Sequence, residues 1–77
     1  MKSADLTPQR PPRLPEPLLG TTCTVVVPDS RGLWWAWHFV WGEYAGGGPV
    51  LMGRSRAEVF RTLQDIRPEG RLWVQPE

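Results

Sequence analysis

Cysteine and histidine are almost missing from this sequence, with one of each in 77 residues. A single cysteine excludes an intramolecular disulfide framework, and one Cys with one His cannot complete a structural zinc site. No apolar run approaches the ~18 residues of a membrane span, and no signal-type hydrophobic segment opens the chain. A cytoplasmic setting is therefore expected. An excess of either charge is also lacking: nine Lys+Arg stand against eight Asp+Glu. Nothing at the level of the whole chain attracts nucleic acid or an anionic membrane. Gly46-Gly47-Gly48 has no following Lys-Ser/Thr and opens no helix, so it is not a phosphate-binding loop. No carboxylate pair has a spacing that points to metal or glycosidic chemistry. No cofactor and no metal are expected.

What the chain does have is nine prolines and five tryptophans. Its length allows one small domain. Five prolines, Pro8, Pro11, Pro12, Pro15 and Pro17, fall within residues 1–20. Proline removes amide donors and fixes φ, so this stretch reads as an extended arm, with residues 21–77 as the folded domain. Leu14, Leu18 and Leu19 can pin the arm's end to that domain. Pro8-Gln9-Arg10-Pro11-Pro12-Arg13 also fits the proline-x-x-proline-x-basic pattern taken by SH3-type grooves, although a proline-rich tail matches it readily by chance.

Thr21 to Val27 is β-branched almost throughout and predicts a strand. Pro28 to Gly32 is a turn, and Leu33 to Trp41 a second strand, making a hairpin. Glu43 to Pro49 reads as a flexible loop and Val50 to Met52 as a short third strand. Ser55-Arg56-Ala57-Glu58 is a capping box, after which Val59, Phe60, Leu63 and Ile66 recur at helical spacing. Pro68 stops the helix, and Arg71 to Gln75 is a last strand. The order is β-β-β-α-β. The expected class is α+β: a two-layer sandwich of three or four strands, antiparallel in type, with one helix.

Alternation in the second strand puts Leu33, Trp35, Trp37, Phe39 and Trp41 on one face, and Trp34, Ala36, His38 and Val40 on the other. The first, bulkier set is expected to meet the helix. The second is apolar enough to dislike water. Either it is an interaction surface or the arm folds back over it, and both readings stay open. In the last strand Leu72 and Val74 should point inward and Arg71 and Trp73 outward, the composition of a binding hot spot. The candidate partner-binding residues are therefore Trp34, His38, Val40, Arg71 and Trp73.

Chemistry finds little support. His38 is the only histidine and lies beside Ala36 and Val40, which suits a packed, hydrogen-bonded residue. Cys23 lies in a β-branched run with no basic neighbour and suits a small buried hydrophobe. Glu58 is accounted for by capping. The chain is expected not to be an enzyme. Arg54 and Arg56, at the positive end of the helix, are candidates for a small anion site. The five arginines Arg54, Arg56, Arg61, Arg67 and Arg71 face four carboxylates nearby, too few uncompensated cations for phosphate-driven affinity.

The run Val25-Val26-Val27-Pro28-Asp29 with Gly32, followed by Gly53-Arg54-Ser55-Arg56-Ala57-Glu58-Val59, resembles the small HicB-type antitoxin domain over residues 22–67. That family shows a strand ending in Pro-Asp, a Gly turn and a Gly-x-Ser/Thr-x-x-Glu helix start. The plan is also similar to the arm-binding domain of phage-type integrases, which would imply DNA read by the sheet. Gly32-Leu33-Trp34 and Asp65-Ile66-Arg67-Pro68 are similar to segments of the MbtH-like proteins that bind adenylation domains. Two of these three resemblances imply a protein partner. The leading expectation is a non-catalytic protein-binding module, antitoxin-like or a regulatory accessory protein, with self-association as a close variant. The alternative is a small nucleic-acid-binding module that uses aromatic stacking and arginines.

Overall fold

The first hairpin is closed by one carboxylate. In the computed structural model, which describes residues 7–77, β1 (Cys23–Pro28) and β2 (Trp34–Val40) pair antiparallel from Cys23↔Phe39 to Pro28↔Trp34. Asp29 sits in the connection. One of its oxygens accepts from the amides of Arg31 (2.8 Å) and Leu33 (3.0 Å), and the other from the Trp35 indole (3.0 Å) and the Arg31 guanidinium (2.6 Å). Desolvation alone would raise the Asp29 pKa. Hydrogen bonds from the Trp35 indole, the Arg31 side chain and the two amides outweigh it and hold the carboxyl well below the usual carboxylate range.

Trp41 and Gly42 then turn the chain back with φ of +52° and +86°. Two successive positive φ values are the mark of the tight mirror-image hairpin turn. It delivers a two-residue strand, β3 (Glu43–Tyr44), which pairs with Phe39 and Val40. Residues 43–49 are thus not all loop. The Tyr44 ring lies 5.5 Å from that of Trp37 and 5.9 Å from that of Phe39, in tilted aromatic pairs. β4 (Val50–Gly53) runs beside the start of β2. β5 (Arg71–Val74) pairs parallel with β1. The α+β class is as expected, but the sheet has five strands and is mixed, in the order β3-β2-β1-β5 with β4 also on β2. A parallel pair needs a crossover connection, here supplied by the segment through the helix.

That helix, α1, spans Arg56–Asp65. The Ser55 hydroxyl accepts from the Glu58 amide at 3.1 Å, as the capping pattern predicts. Glu58 reaches back one residue further than the usual box, to the Arg54 amide at 2.5 Å. A side chain at Gly53 would run into the Glu58 Cβ, so glycine is needed there. The helix stops at Asp65, before Arg67-Pro68, because the residue preceding proline is disfavoured in the helical region. Thr62 donates its hydroxyl to the Met52 carbonyl at 2.9 Å and ties helix to strand.

The expected facing of the sheet is reversed. Trp34 (5% exposed), with Val26 and Met52, lies under Val59 of the helix, with Leu63, Ala36 and Val74 packed around. Trp35, Trp37 and Phe39 are buried on the other face with Cys23 and Val25, and there the arm covers them through Leu18 and Leu14. A crossover's face is set by its hand, which follows from strand twist and not from which face is bulkier. Trp41 belongs to neither face: it has left the strand and is 76% exposed. Phe60 and Ile66, expected in the buried stripe, are exposed at the helix margins. A ten-residue helix is ~15 Å long and covers only part of a five-stranded sheet.

From Thr7 on, the arm is a strap held in a defined path; residues 1–6 of the expected arm lie outside the described residues. A 3-10 turn at Glu16–Leu18 buries Leu18. Leu19 and Gly20 then form a tight turn, with the Thr21 amide and hydroxyl both donating to the Leu18 carbonyl. Gly20 has φ +73°, and glycine suits that position of the turn. The backbones of Gly20 and Gly42 lie so close that a Cβ on Gly42 would sit 2.8 Å from two Gly20 atoms.

Candidate functional site

The five expected partner-binding residues do not form one surface. Trp34, His38 and Val40 face the helix side of the sheet, and Trp34 is core there. Trp73 pairs with Val25 across β1 and β5 and packs, half-buried, against the arm-side core, with Arg71 exposed two residues away. The sheet itself separates Trp34 from Trp73. Of the two arginines of the expected anion site, Arg56 has internal partners. The Arg56 guanidinium donates to the Gln75 carbonyl at 2.9 Å and lies over the Phe60 ring, 4.9 Å from its centre. The Arg54 and Glu58 amides at the helix start are bound by Glu58 and Ser55 side chains. Cys23 is fully buried, and among the described residues no three His, Cys, Asp or Glu side chains approach closely enough to hold a metal.

What remains open is the helix-side face beyond Trp34. Because α1 ends at Asp65, the part of β2 that carries His38 is not covered. There the helix end, the sheet and the segment leading into β4 enclose a hollow of about 180 Å³. Ala36, Met52, Leu63, Ile66 and Pro68 supply most of its apolar wall, and Val50 its rim. Its polar feature is the pair Thr24 and His38, with the hydroxyl 3.2 Å from the imidazole Nδ1. Thr24 is buried while His38 is exposed. Of the residues expected at the site, His38 is the one that lines this hollow.

Around Leu63 and Pro68 the hollow adjoins a shallower depression on the other flank of the helix, lined by Phe60, Gln64, Arg67 and Leu72. Four exposed large apolar side chains, Val50, Phe60, Ile66 and Leu72, thus surround the C-terminal half of one helix. Gln64, Arg67 and His38 lie among them. An apolar centre with polar groups at its margin is the composition of a protein–protein contact. Sequence patterning found Ile66 and Phe60 as apolar but assigned them to the core. The missing information was the length of the helix relative to the width of the sheet.

No family model, no curated protein and no solved structure matches this chain.

Proposed function

We propose that the protein is a non-catalytic protein-binding module whose docking surface is the apolar ground around the end of α1. One observation carries the reading: Val50, Phe60, Ile66 and Leu72 are each exposed and flank the same two adjoining hollows. Scattered surface hydrophobics need no explanation, whereas a contiguous group around a concave site marks an interaction surface. The partner expected is a protein that inserts an aliphatic or aromatic side chain between Ile66 and Val50, with its polar groups meeting His38, Gln64 and Arg67. An antitoxin-like accessory role is the form of this reading that the strand-turn and helix-start motifs suggest.

The test compares wild type, Ile66→Asp and Arg13→Ser as baits in extracts of the source cells. A protein retained by wild type and Arg13→Ser but lost with Ile66→Asp supports the reading. Identical retention by all three baits removes it. Salt-dependent retention on a random oligonucleotide, unaffected by Ile66→Asp, would favour the nucleic-acid alternative instead.

A further inference from the structure

On the face opposite that docking surface, the arm crosses the sheet and roofs a hollow of about 240 Å³. Trp35 and Trp37 form its floor, Val27 and Pro28 one side, and Asp29 its end. Pro8, Arg10 and Pro12 line it from above. Leu14 follows against the Trp35/Trp37 cluster, and Leu18 is buried within it. Alternate residues thus face the sheet, as in an extended strap. Aromatic floors that seat proline-rich extended segments are a general recognition mode, in which the ligand is already stiff and loses little entropy on binding. In this protein receptor and ligand are one chain.

The connection between them is short. Leu18 to Thr21 is a single tight turn, and its special position is Gly20. If that turn opens to an extended form, the arm no longer reaches its own groove and projects from the domain. A second copy, opened in the same way, offers an identical empty groove. Exchange regains the packing of Leu14 and Leu18 on the Trp35/Trp37 cluster, and the groove's tryptophans return to cover. Only the hinge differs between the two states. This is the low-cost route by which identical chains exchange an element.

We infer that the Trp35/Trp37 groove accepts the proline-rich arm of a second copy of this chain, giving an arm-exchanged dimer in equilibrium with the closed monomer. Gly20 sets that equilibrium. A Cβ added at Gly20 meets no atom within 4 Å, so Gly20→Ala acts on backbone conformation and not on packing. An L residue is disfavoured at this φ by roughly five- to thirtyfold. A dimer relieves two such hinges, so its association constant should rise at least about 25-fold. Gly46 is the control. Its φ is +84° and it also has open space, but it lies in the β3–β4 loop, away from the hinge.

The experiment measures dimerisation of wild type, Gly20→Ala and Gly46→Ala by sedimentation equilibrium, and then asks whose arm lies in the groove. An unlabelled chain carrying a spin label at Gln9→Cys is mixed with an isotope-labelled chain, denatured and refolded. The label is joined by a thioether while the chain is folded and Cys23 fully buried, so Cys23 neither reacts then nor takes up the label by exchange on unfolding. The expected result is a dimer enriched at least about 25-fold by Gly20→Ala alone. Val27, Trp35 and Trp37 signals of the isotope-labelled chain should broaden in it. If Gly20→Ala folds poorly, the same broadening in concentrated wild type decides the matter. Equal effects of the two glycine variants, a monomer at every concentration, or a dimer without broadening would each overturn the inference.

Discussion

Trp34→Ala should destabilise the fold severely. Its indole is 5% exposed and lies between the sheet and the helix, in contact with the cluster of Val26, Met52 and Val59. Truncating a buried tryptophan to alanine costs about 3–5 kcal/mol, from lost transfer energy and the cavity left behind. A chain of this size is stable by about 4–12 kcal/mol in all, so the loss is a large share of the total. Where the variant still folds, each kcal/mol lowers the melting temperature by roughly 4–8 °C, a drop of about 12–40 °C. The assay is thermal and urea melting followed by circular dichroism, with Trp41→Ala melted alongside. Trp41 is 76% exposed and should be close to neutral. A Trp34→Ala variant that melts within a few degrees of wild type would refute the assignment of this face to the core.

Trp41→Asn should hold or raise stability by up to ~1 kcal/mol, because asparagine tolerates the positive φ that tryptophan occupies at +52°; a clear loss by urea melt would mean that the ring packs more than its exposure indicates. Ser55→Ala should cost about 0.5–2 kcal/mol through the lost helix cap, and a neutral melt counts against that role. Gly42→Ala should destabilise strongly, since its Cβ would meet the Gly20 backbone and its φ is +86°. A melt unchanged from wild type would show that the contact between arm and turn yields freely. Asp29 has its folded pKa held below the ordinary value of 3.8, so its stabilising contribution is present above about pH 4 and is lost as pH falls further. Asp29→Asn should therefore flatten the acid limb of the stability profile, and parallel limbs for the two proteins would contradict the hydrogen-bonded geometry.

Local chemistry was readable from sequence where a single residue type enforces it. Ser55 and Glu58 announced the helix start, and the β-branched run through Val25 announced β1. Alternation in β2 correctly separated Trp35 and Trp37 from Trp34 and His38. It did not say which set meets the helix, because both are apolar and the choice depends on a crossover between strands far apart in sequence. The arm's role was open for the same reason: whether Leu14 and Leu18 cover a sheet face depends on which face the helix leaves bare. β3 was hidden because tryptophan occupies a turn position where asparagine or glycine is the usual sign. The Asp29 hub gave only its turn signal, since its bond to Trp35 depends on the hairpin register. The candidate site suffered most. Its centre, around Ile66, Leu63 and Pro68, consists of residues that a longer helix would have buried.

The docking surface is tested most directly by light. A photo-crosslinking residue placed at Ile66 and, in a separate protein, at Ser30 in the β1–β2 turn, is irradiated in the source cells. A discrete higher-mass adduct is expected from position 66, absent from position 30 and reduced when Leu72→Asp is added. No adduct from position 66, or the same adducts from both positions, would contradict the proposed docking surface.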